Sequence, residues 1–363
     1  MSIQDRKRPA FRRRAAGVLV CLWLAGTVPP IRSAAACDVC AVYTATEMGE
    51  SRTGFRLGLA EQYSNFSTIK RDGDEIDNVA HEWVNSSITQ VLFGYGITPR
   101  IGVQLTVPLI MRKFRRLDHH GAIEHGDENG LGDLSLIGHL LAYSDVRENS
   151  VFRWSVLGGV KFPTGDSSRL GEELEEEEHA AASVHAVSAG GIRPRHTPAP
   201  APGGGGGGDG EPLVVSGVHG HDLALGSGSF DGIIGTSLFW SWKRLFVTAA
   251  TQFAIRSEGD FDYQYAHDLT WLGGPGVFAL LTHQYSLGIQ AVLSGETKGK
   301  DTQQGERLDD TGITALYVGP GFAFTWGTSL GADLALDVPV VQDNTSVQIV
   351  PDYRIRGGVT WRF

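Results

Sequence analysis

Residues Val347–Phe363 read VQIVPDYRIRGGVTWRF. Val347, Ile349, Pro351, Tyr353, Ile355, Gly357, Val359, Trp361 and Phe363 share one parity. Gln348, Asp352, Arg354, Arg356, Gly358, Thr360 and Arg362 share the other, with Val350 the one apolar intruder. A strand turns successive side chains to opposite faces, so this stretch predicts one apolar and one basic face. Such a strand is awkward in a soluble core. It is natural where one side meets lipid and the other a polar lumen.

Working back from the end, the same alternation recurs. Ile101 to Arg112 sets Ile101, Val103, Leu105, Val107, Leu109 and Met111 against Gly102, Gln104, Thr106, Pro108 and Arg112. Val151 to Lys161 turns Phe152, Trp154, Val156 and Val160 outward, and Arg153, Ser155 and Lys161 inward. Leu245 to Arg256 points Gln252 and Arg256 inward, and Leu330 to Gln342 does the same with Asp333 and Asp337. With the less regular stretches the total is about twelve strands, each long enough for the ~9–11 residues of a tilted membrane strand. Connections near Gly96, Ser144, Lys243, His283 and Gly327 are short. Those at 115–129, 163–226, 257–267 and 297–311 are longer. The expected fold is therefore all-β: a transmembrane antiparallel up-and-down β-barrel of about twelve strands, both termini on the periplasmic side, with one long disordered extracellular loop. Tyr95, Trp240, Trp242, Trp326, Trp361 and Phe363 gather toward the short-turn side, as an interfacial girdle would.

The start of the chain points to export. Arg6, Lys7, Arg8 and Arg12 to Arg14 form a basic region, Ala15 to Gly26 an apolar one, and Ala34 to Ala36 a cleavage site before Cys37. Residues 1–36 are read as a signal peptide, 37–54 as a periplasmic segment, and 55–363 as the barrel, with 164–226 a low-complexity extracellular insert. No other segment offers the ~18 consecutive apolar residues of a spanning helix. The hydrophobic share of 41% and mean hydropathy of −0.10 do not count against a barrel, because lumen-facing polar residues dilute lipid-facing apolar ones. Loss of the signal's seven basic residues and one acid takes the formal charge from −10 to −16, which argues against a nucleic-acid partner.

Several short pieces then carry a resemblance. They are Gly130-Leu131-Gly132-Asp133-Leu134, Phe162-Pro163-Thr164-Gly165 and Gly226-Ser227-Gly228-Ser229-Phe230-Asp231, followed by Tyr317-Val318-Gly319-Pro320-Gly321, Val338-Pro339-Val340-Val341-Gln342 and Asp352-Tyr353-Arg354. In this order and spacing they resemble the outer-membrane barrel family named for the meta-pathway of phenol degradation. The resemblance spans about Phe55 to Phe363 and implies a porin or transporter type of barrel. The family name reflects genomic association with aromatic catabolism and fixes no substrate. Two segments depart from the pattern: 170–220, with its acidic run, Pro/Ala stretch and run of six glycines at 203–208, and the Cys37-Asp38-Val39-Cys40 segment.

Three features carry candidate chemistry. Cys37 and Cys40 are expected to form a disulfide in an oxidising compartment; a metal or redox contact and lipidation of Cys37 stay open as alternatives. Ala41 after Cys40 disfavours covalent haem. Of the loop histidines, His179, His185, His219 and His221 are weak metal candidates, and a solvated loop is the preferred reading. Arg112, Arg153, Lys161, Arg256, Glu296, Asp333, Asp337, Arg354 and Arg356 are the lumen-facing set, suited to tuning passage or to bracing the barrel. No cofactor is expected. An enzyme is disfavoured, since on a strand His81 and Ser86 point to opposite faces and Ser87 lies about 20 Å away. The expected partners are outer-membrane lipid, the barrel assembly machinery through the terminal aromatic Phe363, and a small solute, with small organic or aromatic compounds as candidates. The alternative is an outer-membrane scaffold or binding protein using the CxxC segment and the acidic, histidine-bearing loop.

Overall fold

The computed structural model describes residues 53–118, 121–174 and 216–363. The signal segment, Cys37, Cys40, His179 and His185 lie outside the described residues. Twelve strands make the wall: β1 Gly54–Arg71, β3 Trp83–Gly96, β4 Ile101–Leu117, β6 Ser135–Arg147, β7 Ser150–Lys161, β8 Asp231–Trp242, β9 Leu245–Ile255, β11 Asp268–Leu281, β12 Tyr285–Lys298, β15 Ile313–Trp326, β16 Leu330–Asn344 and β17 Val347–Arg362. Each pairs antiparallel with its neighbour, and β17 returns to β1, closing the barrel. Closure leaves no free sheet edge at the two ends of the chain of strands. Five short pieces are added above the wall: β2 Asp74–Ile76, β5 Ile123–Leu131, β10 Tyr263–Gln264, β13 Thr302–Gln303 and β14 Glu306–Arg307. Among the described residues no helix is long and apolar enough to cross a membrane.

The alternation decides the faces. On β4, Leu105, Leu109 and Met111 are exposed, while Gln104, Thr106, Ile110, Arg112 and Phe114 are buried. The same outward apolar surface continues through Leu57, Phe93, Leu136, Trp154, Ile234, Leu269, Ile289, Phe322, Leu334 and Val359. A belt this extensive is far larger than the apolar patches water-soluble proteins expose. At the short-turn end, Tyr95, Trp240, Trp242, Trp326, Trp361 and Phe363 are all exposed. The N–H of Phe363 donates to the carbonyl of Phe55 at 3.0 Å, so the two ends of the barrel lie side by side.

The upper end of the last strand departs from the alternation. Ile355, Val359 and Trp361 face out as their parity predicts, but Val347 and Ile349 do not. They are buried with Ile69, Val84, Phe114, Val218 and Leu223. The β1–β17 register slips between Asn65 and Thr68, opposite Tyr353 to Val350, and above this slip every residue from Val347 to Pro351 is buried, whichever its parity. A bulge breaks the two-residue period that the sequence reading relies on.

The interior is filled at several levels. Ile137, Leu157, Ile233, Ala250 and Leu272 form an inward apolar band across β6, β7, β8, β9 and β11. The two ends of the insert are also built into the barrel. Leu225 packs on Ile88 and Ile110 of the inner wall. Leu170 and Ala224 join Tyr263, Tyr265 and Leu308.

Candidate functional site

The inner wall carries two charged clusters and a set of contacts that fasten the insert. The first cluster begins where β4 changes partner. β4 pairs with β5 through Leu109↔Leu131 and with β6 through Thr106↔Ser135. Pro108, which has no N–H to offer a ladder, falls in the break between them. The break leaves Asp133 free of the ladder, and its carboxylate gathers distant segments. Oδ1 accepts the N–H groups of Thr164 (3.1 Å) and Gly165 (3.0 Å), and Oδ2 accepts the N–H and hydroxyl of Ser227 (both 2.9 Å). Three of the short motifs thus meet at one carboxylate. Gly165 and Gly226 touch so closely that a Cβ on Gly226 would lie 2.6 Å from the Gly165 carbonyl carbon, which accounts for glycine at both.

From Asp133 the charges alternate along the wall. Lys161 Nζ lies 2.8 Å from Asp133 Oδ2 and 2.7 Å from Asp231 Oδ2. Arg256 then bridges Asp231 (2.9 Å) and Asp268 (2.5 Å). Ser229 donates to the other oxygen of Asp231 at 2.8 Å. All five charged side chains are buried, and their neighbours supply the extra hydrogen bonds that buried ions require.

The second cluster lies on β12, β15, β16 and β17. Arg354 donates to Glu296 Oε1 at 2.6 Å, and its guanidinium stacks 4.3 Å above the Tyr317 ring. Tyr317 donates its hydroxyl to the same Glu296 oxygen at 3.0 Å. Arg356 holds Asp337 through two bonds, 2.8 and 2.9 Å. The planar fork of arginine suits this two-point contact with a carboxylate.

The third set ties down the insert. Arg112 donates to the carbonyls of Asp222 (2.6 Å) and Ala224 (2.8 Å). Glu82 accepts the Gly217 N–H at 3.0 Å and the Ser216 hydroxyl at 2.6 Å. Arg116 binds Glu124 and Glu172, both at 2.7 Å. His221 Nδ1 lies 2.8 Å from Glu173, and its ring stacks on that of His219. Burial opposes the imidazolium of His221, but the Asp222 and Glu173 carboxylates outweigh it and raise its pKa to about 9. In return, although burial acts to raise them, the carboxyls of Glu173 and Asp222 are held below their ordinary values, His221 being the main cause. Among the described residues, His219, His221 and Asp222 form one group whose ligand atoms lie within 4.8 Å of one another. Hydrogen bonds and charge pairing within the group already account for its closeness. His219 Nε2 also lies 3.2 Å from Asp310.

Of the lumen-facing set, Lys161 and Arg256 fall in the first cluster and Glu296, Asp337, Arg354 and Arg356 in the second. Arg112 stands with the insert. Arg153 and Asp333 are half-buried near the short-turn end. Single-strand parity did not single out Asp133, Asp231, Asp268, Tyr317 or Glu82. Asp133 and Asp231 were visible as members of short motifs, and Asp231 sits opposite Lys161 in the ladder.

No family model matches the chain, and no curated protein matches it in sequence. Solved structures do match. An outer-membrane channel from Pseudomonas putida F1 aligns over 87% of this chain and 98% of its own, with 13% identity and a TM-score of 0.53. The translocator domain of the autotransporter NalP from Neisseria meningitidis covers 89% and 93%, with 12% identity and a TM-score of 0.39. A FadL homologue from Pseudomonas aeruginosa covers 85% and 90%, with 9% identity and a TM-score of 0.33. The first of these shows a shared barrel fold; the other two are too distant in shape to add to it. The chain is an outer-membrane-type β-barrel.

Proposed function

We propose that this protein is an outer-membrane channel that lets a small solute cross by passive or facilitated diffusion. The observation that carries the reading is the continuous apolar belt outside a closed wall whose inner face bears buried charge pairs. Such a body is stable only with lipid around it, and its interior offers the polar lining that tunes passage. The fold shared with the Pseudomonas putida outer-membrane channel supports it. Residues of five of the short motifs meet in the two inner clusters, and a small organic or aromatic compound is the cargo this reading puts forward for test. In this reading the signal segment exports the chain. Phe363, 75% exposed at the end of β17, is presented to the assembly machinery. Cys37 and Cys40 join as a disulfide in the periplasmic segment.

Planar-bilayer conductance of the purified protein tests the proposal, with and without residues 175–215. Stepwise conductance from the full chain is the expected result. Silence from both forms would sink the channel and favour the scaffold reading, in which the His219–His221–Asp222 group and the acidic insert serve as a contact surface.

A further inference from the structure

The seam between β16 and β17 is paired only from Leu330↔Trp361 to Asp337↔Arg354. The same register carried upward would set Pro339 opposite Asp352, Gln342 opposite Ile349 and Asn344 opposite Val347, with Thr345 and Ser346 as a two-residue turn. Those rungs are not made. Yet neither strand ends there. β16 stays paired to β15 as far as Asn344, and β17 stays paired to β1 as far as Val347. Two intact strands therefore diverge from a common base.

Their divergence has causes in the sequence. Pro339 and Pro351 have no N–H to give a ladder, and both lie in the unpaired stretch. Each strand also carries a register irregularity on its far side, at Leu316/Tyr317 against β16 and at Asn65 to Thr68 against β17. The seam is not bare. Gln342 Nε2 reaches across to the Pro351 carbonyl at 2.6 Å, and Lys70 Nζ reaches the Gln342 carbonyl at 3.4 Å. The Ile349 N–H donates to the Gly217 carbonyl of the insert at 2.7 Å. Side chains and the insert thus take the place of a ladder. From inside, the fully buried Val350 stops the seam by packing on Ile313, Ala315 and Tyr317. On the outside, Val338, Val340 and Val341 are exposed.

An unmade ladder is costly in a lipid-facing wall, because hydrocarbon offers its N–H and C=O groups nothing in exchange. Here it is held shut by a few replaceable side-chain bonds and an apolar stopper. We propose that the β16–β17 seam is a lateral portal, closed in this structure, through which a small apolar solute passes between the barrel interior and the surrounding membrane leaflet. The proposal rests on the channel reading and names its cargo as apolar. The stopper Val350 and its contacts Ile313, Ala315 and the ring of Tyr317 are apolar, and Val338, Val340 and Val341 are exposed on the outside. The polar groups at the seam are already bound: Lys70 and Gln342 to backbone carbonyls, Asp352 to the hydroxyls of Ser67 and Thr68, and Glu296, Arg354, Asp337 and Arg356 among themselves. A hydrated ion would lose its water at the seam and meet only polar groups that are already engaged.

The test closes the seam in two ways, in a background with Cys37→Ser and Cys40→Ser. Pro339→Cys with Asp352→Cys, two rungs above the last pair, clamps it by a reversible disulfide. Pro339→Val with Pro351→Val restores the missing donors without any cross-link. The readout is the uptake rate of the apolar dye N-phenyl-1-naphthylamine into cells whose outer membrane carries the barrel. Ion conductance of the same purified proteins is measured beside it. The parent barrel should speed dye uptake. The oxidised clamp and the valine pair should return it to the rate of cells lacking the barrel, and reductant should restore it for the clamp alone. Uptake at the parent rate with the cross-link confirmed by mass would overturn the portal while conductance keeps the channel. No dye uptake by the parent barrel would overturn the portal too, and absent conductance would remove the channel reading with it.

Discussion

Lys161 Nζ stands midway between two buried carboxylates, 2.8 Å from Asp133 and 2.7 Å from Asp231. Neither aspartate is exposed, and the three residues come from three separate stretches of chain. Replacing Lys161 by Met keeps the length and removes the charge. Asp133 and Asp231 would then face each other without their shared cation, and stability should fall by about 3–5 kcal/mol, the cost typical of a buried charge left unpaired. Urea unfolding in lipid vesicles measures it. A change of a few tenths would show that Arg256 and the backbone donors suffice.

The apolar belt makes a prediction of place. Leu334 is 52% exposed on the outer face of β16, which it shares with the exposed Val338. Leu334→Arg should cost about 2–4 kcal/mol if the site lies at mid-bilayer depth. Ile97 is equally exposed but sits in the β3–β4 turn, so Ile97→Arg should cost only about 0–1 kcal/mol near the interface. Equal costs at the two sites would contradict the lipid-facing assignment of the belt.

Leu225 is one of the apolar contacts by which the insert reaches the inner wall, packed on Ile88 and Ile110, while Val218 and Leu223 pack on Ile69, Val84 and Phe114. Leu225→Ala should loosen that contact by about 2–5 kcal/mol, as large-to-small changes in packed sites do. The barrel should keep its heat-modifiable gel migration, since no wall ladder is touched. Conductance in planar bilayers should rise if the insert ends narrow the passage. Unchanged conductance would assign the narrowing to another level of the interior.

His221 gives the insert a pH dependence. Its pKa is raised from 6.5 to about 9, so its ion pairs with Glu173 and Asp222 contribute fully below about 6.5 and are lost as pH rises through about 9. The two carboxyls are shifted down, so their share is present above their ordinary values and is lost as pH falls from there through the lowered ones. Amide exchange at Gly220 to Ala224 should therefore be slow near pH 6 and quicken by pH 10 beyond the intrinsic rise. His221→Gln should remove that extra quickening. Identical protection at both pH values in the native chain would exclude the imidazolium as a fastener.

Much of the wall was legible because alternation is a local property. Leu105, Leu109 and Met111 of β4, and Ile355, Val359 and Trp361 of β17, face outward as their parity required. Alternation alone marks Lys161, Arg256, Arg354 and Arg356 as charged residues opposite the apolar parity, and all four are buried. It does not mark their partners. Asp268 meets Arg256 across a loop, and Glu296 meets Arg354 from 58 residues away in the chain. Nothing in single-strand periodicity ranks one inner carboxylate over another. Val347 and Ile349 were misplaced because a bulge changes the period without leaving a mark in composition.

The sequence by itself determined the strand faces away from the bulge, the antiparallel succession and the placing of both barrel ends on one side, since each follows from two-residue alternation, short turns and an even count. Only the tertiary structure decided which inner charges pair, how the ends of the insert enter the barrel, and where the wall leaves its ladder unmade. The physical reason is stagger. Barrel closure slides each strand along its neighbour, so the rung at which Lys161 meets Asp231, or at which Asp337 is the last to meet Arg354, is a property of the closed wall. No single strand contains it.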